Sequence, residues 1–430
     1  MLDVLSHRGP AGRAVVDHDG ATLGLAWTGM EDGAEARLRD HRVAADETSN
    51  SRFARAEIRD GRLALVRDPL GVAPLYYGTT SDGHLCFASE FKALLGETRE
   101  IHEFPPGRRY TSGRFEPCHD APPPPPLEDP PGVIARELRR RLEQAVARRM
   151  AGTQAGAWLS GGLDSSTMTA LARPHVRRLP TFAVGLAGAP DLEYARAAAE
   201  HLDTEHHEIL VGVDDLLAVL PEVIYHLESF DALLVRSSLV NFLASRRAGD
   251  HVPAVLSGEA GDELFAGYDY LRNCPPDGLS AELADITGRL HNTALQRVDR
   301  SAAAYGTIPF VGFTDPDLVA YAQRIPAKYK LHEGVEKWIL RRAMDGELPG
   351  TVLHRKKEKF WSGAGVRDLL ADHAAAQIPE AAFRHERRLP NGWTLHSREE
   401  LMYYRIFRER FGVLEDLSFM GRTKGAPVTA

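Results

Sequence analysis

Residues 122 to 126 are five consecutive prolines, and Pro130 and Pro131 follow after Leu127, Glu128 and Asp129. Such a run has no backbone N–H to give to a helix or a sheet ladder, and its fixed φ favours an extended polyproline II spacer over a packed element. The chain is expected to divide there, into a unit over residues 1–120, a Pro-rich linker over 121–131 and a second unit over 132–430. A length of 430 residues exceeds one typical core and suits two or three such units.

The texture changes across the spacer. Before it, short runs such as Leu63-Ala64-Leu65-Val66 and Leu85-Cys86-Phe87-Ala88 lie between turn signals and read as antiparallel strands. After it, Gly132 to Met150 has a helical period with arginines on the polar face. Strand-like and helix-like segments then alternate: a strand at Ala157 to Leu159, a helix at Thr167 to Ala172, a strand at Thr181 to Val184, a helix at Leu192 to Leu202 and a strand at Ala254 to Leu256. That alternation predicts the α/β class, with a parallel sheet covered by helices. From about Leu279 onward the pattern is mainly helical, and no internal repeat is visible.

Composition narrows the function. With 52 Lys plus Arg against 60 Asp plus Glu, the chain has no net positive field for nucleic acid or an anionic membrane, so a small-molecule substrate is expected. Cys86, Cys118 and Cys274 are odd in number and lack CxxC spacing, which argues against a disulfide framework or structural zinc and for a reducing cytoplasm. The first twenty residues are interrupted by His7, Arg8, Asp17 and Asp19, and no apolar run approaches the length of a membrane span, so neither export nor insertion is expected.

The strongest local signal is Trp158-Leu159-Ser160-Gly161-Gly162-Leu163-Asp164-Ser165-Ser166, a predicted strand entering a Ser/Gly turn and then a helix. Glycines let the backbone approach an anion closely, while serine hydroxyls and the N–H groups of a helix start donate to phosphate oxygens. A carboxylate inside such a loop would repel phosphate unless a cation lies between them, so Asp164 reads as a Mg²⁺ ligand. A second acidic turn, Leu256-Ser257-Gly258-Glu259-Ala260-Gly261-Asp262-Glu263-Leu264-Phe265, again follows a predicted strand, and Asp262 reads as the second ligand. The adjacent His206 and His207 would point to opposite faces of a strand and read as structural.

Together these two motifs resemble the synthetase domain of the glutamine-dependent, B-type asparagine synthetases and their relatives, the β-lactam synthetases and lasso-peptide cyclases. The likeness runs from about Ala157 to Phe411 and includes Thr181 to Leu186, Asp191 to Glu208 and Arg355-Lys356-Lys357-Glu358-Lys359-Phe360. It implies a parallel-sheet ATP pyrophosphatase (PP-loop) domain that uses ATP and Mg²⁺ to turn a carboxylate into an acyl-adenylate, which an amine then attacks. By motif position, Ser160, Gly161, Gly162, Asp164, Ser165 and Ser166 would hold pyrophosphate and its metal, and Trp158, Val184, Ser257 and Gly258 would line the nucleoside pocket. Lys357 falls on the family's catalytic lysine, where a fixed ammonium lowers the barrier to displacement at phosphorus. Glu259 falls on a glutamate suited to orienting or deprotonating the incoming amine.

The amino-terminal half resembles the same family's glutaminase domain, a truncated Ntn-hydrolase-like antiparallel β/α domain, through Ser6 to Pro10, Arg67 to Tyr77, Ala88 to Leu94 and Phe104-Pro105-Pro106-Gly107. That domain uses an amino-terminal cysteine as nucleophile. Here the chain opens Met1-Leu2-Asp3, and the glutamine-holding Asn-Gly-Glu motif is reduced to Thr28-Gly29-Met30, so glutamine hydrolysis is not expected.

The acceptor region departs as well. Where asparagine synthetases carry two threonines before an arginine, this chain has Leu233-Leu234-Val235-Arg236, and their Glu-Ala-Arg-Val-Pro-Phe-Leu-Asp segment appears as Ile308 to Asp315. Loss of polar partners at Leu233, Leu234 and Ile308, beside Arg236, points to a larger or less polar acid than aspartate. The reading is an amide synthetase joining a small-molecule carboxylate to ammonia or an amine. An ammonia-dependent asparagine synthetase, a lactam- or macrocycle-forming enzyme and a non-catalytic nucleotide-binding homologue stay open as alternatives. β-lactam-forming relatives carry tyrosine at the position of Glu259 and glutamate at that of Ile308, which argues against ring closure. A separate glutaminase and a homodimer stay open as partners.

Overall fold

A computed structural model of the protein describes residues 1–18, 20–29, 42–44, 52–59, 62–118, 125–275, 277–357 and 367–424. Met30, Pro122 to Pro124, Glu358, Lys359 and Phe360 lie outside the described residues.

The amino-terminal half is built of antiparallel ladders. Strands β1 (Gly12–His18) and β2 (Ala21–Trp27) form a hairpin. β3 (Arg42–Ala44), β4 (Ala54–Arg59), β5 (Arg62–Arg67), β9 (Arg108–Thr111) and β10 (Arg114–Pro117) form a second sheet in the order β10-β9-β5-β4-β3. β6 (Tyr76–Thr79), β7 (Leu85–Ala88) and β8 (Ile101–Glu103) form a third. Alternation sends Ala54, Ala56 and Ile58 to one buried face, where they meet Leu23, Leu65, Leu75 and Phe104 in a core of this half's own. The Arg67 to Tyr77 stretch is a buried knot: the Asp68 carboxylate accepts from the backbone N–H of Val72 and Ala73, each at 2.9 Å, while Arg67 donates to the carbonyls of Ala73 at 2.8 Å and Phe104 at 2.5 Å. Its polar residues therefore serve structure.

The spacer docks where it is described. Leu127 N–H donates to the Arg324 carbonyl at 2.9 Å, and Arg324 Nε returns a bond to the Pro125 carbonyl at 3.0 Å. Pro131 then opens α1 (Pro131–Met150), a position where the missing N–H costs no helical hydrogen bond.

Five parallel strands follow: β11 (Ala155–Trp158), β12 (Pro180–Gly185), β13 (Glu205–Leu210), β14 (Ala254–Ser257) and β15 (Ile308–Val311), ordered β13-β12-β11-β14-β15. Helix α2 (Leu163–Ala172) leads to β12 and α3 (Pro190–His201) to β13; α4 (Val213–Leu227) and α5 (Ala232–Gly249) lead to β14. Between β14 and β15 lie α6 (Gly261–Phe265), α7 (Leu279–Gly288) and α8 (Ala294–Ala303). Strand order reverses between β11 and β14, so a crevice opens outside their carboxyl ends, the usual ligand position in such sheets. β15 lies inside the region expected to be mainly helical; four residues, all buried, carry too little periodicity to stand out among helices. His206 and His207 sit in β13, where His206 Nδ1 meets Thr181 Oγ1 at 2.9 Å and His207 stacks on Phe182.

The two halves share a buried ionic cluster. Glu90 contacts His7 Nε2 at 3.0 Å, Arg8 at 2.7 Å and Lys92. Asp299, on α8, pairs with Arg8 at 2.9 Å and Arg52 at 2.8 Å, and its neighbour Arg300 pairs with Glu228 at 2.8 Å. Among the described residues no helix is long and apolar enough to cross a membrane.

Candidate active site

Two turns leave adjacent parallel strands and interlock. The first follows β11. Gly161 has φ +68°, and a Cβ placed there would stand 2.3 Å from Ala195 N, so only glycine lets the loop lie against α3. Ser160 and Ser165 face each other with Oγ atoms 3.1 Å apart, and Gly162 precedes the first turn of α2, whose N–H groups open toward the crevice. The second turn follows β14. A Cβ on Gly258 would come within 2.5 Å of Ser165 N, and one on Gly261 within 2.6 Å of the Asp164 carboxyl carbon. Close approach of the two turns brings Asp164 and Asp262 to one spot.

Two lysines meet them there. Lys337 Nζ contacts Asp164 Oδ2 and lies 2.6 Å from Asp262 Oδ1, while Lys357 Nζ lies 2.6 Å from Asp262 Oδ2. Burial alone would push the Asp262 carboxyl up, but the two ammoniums outweigh it and hold the group well below the usual carboxylate range. Asp164 goes the other way: burial, with Asp262 beside it, raises its carboxyl despite Lys337. Burial would lower the Lys357 ammonium, and Asp262 and Asp164 reverse that and raise it. Glu263, behind them, accepts from Tyr268 Oη at 2.5 Å and is pushed up to about 7 by burial, Asp262 and Glu259.

Supporting residues fix the lysines. Lys337 has φ +55°, and its N–H donates to the Phe265 carbonyl at 3.2 Å. Glu336 accepts from Arg341 at 2.7 Å, from Arg272 at 2.9 Å and from Lys357 N at 3.2 Å, tying both lysine-bearing segments together. Arg355 donates to the Ser160 carbonyl at 3.3 Å, pairs with Asp191 and lies over the Tyr194 ring at 4.0 Å, clamping the first turn to α3.

Trp158, Ser160, Gly162, Asp164, Ser165, Val184, Ser257, Gly258, Glu259, Asp262 and Lys357 all line this one cleft, with Lys337, Arg355 and Lys356. Gly161 shapes the loop from behind, and Ser166 is fully buried beneath it. The four expected acceptor residues do not line it. Leu233 and Leu234 lie in the first turn of α5, more than a turn before Asn241 and Ala244, which do reach the cleft. Arg236 is held by Glu399 at 2.7 Å. Ile308 stands in register with Ala254, at the opposite end of β14 from Ser257, and lines a cavity of about 710 Å³ between the two halves. Lys337 was not legible, because a lone lysine between Glu336 and Trp338 has no local mark of burial.

The asparagine synthase family matches residues 137–285 and 277–418, more than half of the chain. The chain belongs to the asparagine synthase family. A glutamine amidotransferase domain matches residues 49–105 of this family member. It is 35% identical over 386 residues to asparagine synthetase [glutamine-hydrolyzing] 1 of Arabidopsis thaliana, covering 84% of this chain and 66% of that one. It is likewise 35% identical over 384 residues to asparagine synthetase [glutamine-hydrolyzing] 2 of Lotus japonicus, covering 84% and 65%. The chain thus spans just under two thirds of the length of these relatives. NMN synthetase from Francisella tularensis aligns over 69% of this asparagine synthase homologue and all of its own chain at 13% identity, with a TM-score of 0.31, too low to carry an argument.

The residues present fit a magnesium ion in company with phosphates. Among the described residues no cluster of three or more His, Cys, Asp and Glu could hold a metal alone, but Mg²⁺ takes one or two carboxylates and fills its shell with phosphate and water oxygens. Asp164 and Asp262 supply such a pair, and Asp164 Oδ1 is buried with no hydrogen-bond partner.

Proposed function

We propose that this asparagine synthase family member is an ATP-dependent amide synthetase, which activates a carboxylate as an acyl-adenylate and passes it to ammonia or an amine. The observation that carries this reading is the meeting of Asp164, Asp262, Lys337 and Lys357 where two Gly/Ser turns interlock at the carboxyl ends of β11 and β14.

In the first step a carboxylate oxygen attacks the α-phosphorus of ATP, and the bond to the bridging oxygen breaks with release of pyrophosphate. Ser160, Ser165 and the N–H groups opening α2 would donate to the leaving oxygens, and Lys357 would stabilise charge growing on the transferring phosphoryl. Asp164 and Asp262 would hold Mg²⁺, which when bound neutralises the triphosphate. Lys337 keeps that carboxylate pair together and adds a fixed positive charge. In the second step the amine nitrogen attacks the acyl carbon, its bond to AMP breaks, and Glu259 receives the surplus proton.

We further propose an acid other than aspartate, supported by the engagement of Arg236 with Glu399, which leaves that guanidinium occupied by a carboxylate of the chain itself. The names of the relatives keep aspartate as the second reading. We also propose that the amine comes from solution, from the substrate or from a separate glutaminase. Burial pushes up the thiols of Cys86 and Cys118, the two cysteines of the amino-terminal half, opposite to what an activated nucleophile requires. Three free cysteines suit a reducing compartment such as the cytoplasm.

The test is ATP–pyrophosphate exchange against a panel of carboxylic acids that includes aspartate, with Lys357→Ala and Asp164→Ala alongside. One acid supporting exchange that both variants abolish is the expected result. Aspartate alone giving exchange would overturn the choice of acid, and silence across the panel with ATP bound would overturn the activity.

A further inference from the structure

Helix α8 is buried along almost its whole length, although Gln296, Arg297, Asp299 and Arg300 lie on it. Each of the four has a specific partner. Gln296 donates to the Leu227 carbonyl at 2.7 Å, Asp299 pairs with Arg8 and Arg52, and Arg300 pairs with Glu228. Arg297 Nη2 contacts Glu259 Oε1.

The last pair is asymmetric. The Arg297 side chain is 10% exposed, stays outside the cleft lining and has its Nε buried with no hydrogen-bond partner among the described residues. Glu259 is 25% exposed and lines the cleft. A guanidinium in such surroundings is costly unless paired, so Arg297 constrains where Glu259 can go, while Glu259 keeps a face open to ligand. Two residues along, Asp299 fixes the helix against arginines of the amino-terminal half, so α8 can neither slide nor rotate without breaking that cluster.

We propose that Arg297 is the positioning residue for Glu259, and that α8 makes the amino-terminal half part of the apparatus for amine transfer. The inference rests on the reading of Glu259 as the group that receives the amine's proton. Arg297 pairs with Glu259 and with none of Asp164, Asp262, Lys337 or Lys357, the groups read as acting on the phosphates, so it acts on the second step and not on adenylation.

The experiment uses the full chain and the acid found active in exchange. Arg297→Met is expected to keep pyrophosphate exchange within about twofold while amide formation from ammonia falls on the order of a hundredfold, the scale of a misplaced general base. Hydroxylamine, which at neutral pH is already the free base and far more nucleophilic than ammonia, so that its surplus proton can pass to water, should still trap the acyl group as hydroxamate, and Arg297→Lys should recover part of the ammonia reaction. Exchange and amide formation falling together, or neither falling, would overturn this inference and leave the proposed activity standing. A wild-type chain silent in exchange sinks both. Independently of substrate, urea unfolding of Arg297→Met, Glu259→Gln and the double variant should be non-additive, and additivity would remove the pair on which the inference stands.

Discussion

Between Asp164 and Asp262 sits the ammonium of Lys337, within reach of both carboxylates and itself 3% exposed. Two buried carboxylates this close repel each other's ionised forms, and a shared cation lets the pair stay assembled before any ligand arrives. Lys357 differs in kind: its side chain is 26% exposed, so it faces the cleft more than it supports the core. Lys337→Met should therefore lower stability by about 3 kcal/mol, the scale of breaking a buried pair, and cut exchange on the order of a hundredfold or more. Lys357→Ala should cut exchange comparably with much less effect in urea unfolding; equal destabilisation by the two would refute the distinction. Asp164 and Asp262 were readable because each stands inside a local turn pattern, and Lys357 because the resemblance marked it within a basic run. The partner that joins them lies 173 residues from Asp164 in sequence and has no pattern of its own.

At the scale of elements, the site is made by how tightly two strand–turn–helix units approach. Gly161, Gly258 and Gly261 each stand where a Cβ would meet backbone or a carboxylate at 2.3 to 2.6 Å. Gly161 is the most constrained, because its left-handed φ of +68° adds backbone strain to the clash with Ala195 N. Gly161→Ala is expected to destabilise the chain by more than about 1 kcal/mol and to abolish exchange, as measured by urea unfolding and the pyrophosphate assay. Unchanged exchange would mean that the loop relaxes without moving Ser160 and Asp164. Turn composition announced this motif, because a Ser/Gly turn between a strand and a helix is a local event. Helix phase and strand register were less legible, and for that reason Asn241 and Ala244 of α5, which line the cleft, had no mark in the sequence.

Across the whole molecule, the halves meet through charge as well as apolar packing. Burial would raise the Asp299 carboxyl, yet Arg8 and Arg52 hold it well below the usual range. In the same interface the His226 imidazole is pushed down to about 3, first by burial and then by His7 and Lys92. Its folded value lies below the ordinary one of about 6.5, so the neutral ring contributes stability that is complete above pH 6.5 and lost as pH falls toward 3. Glu263 acts oppositely: raised to about 7, its neutral carboxyl stabilises most at low pH and loses that contribution as pH rises from about 4.5 through 7. A difference between variant and wild type separates them. His226→Phe, whose ring fits beside Tyr225 and Phe242, should flatten the acid limb by up to about 1.4 kcal/mol per pH unit between pH 6.5 and 4, read as urea midpoints. Parallel curves for the two proteins would show that this histidine is already solvated. The sequence by itself determined the alternating α/β half and the two Gly/Ser turns that follow its strands, because each depends on neighbours a few residues away. Only the tertiary structure decided that Lys337 bridges the carboxylates, that Arg297 stands behind Glu259 and that α8 is keyed to the other half. Those pairings join charges far apart in the chain, and burial, which makes them strong, appears only once the helices and sheets have packed.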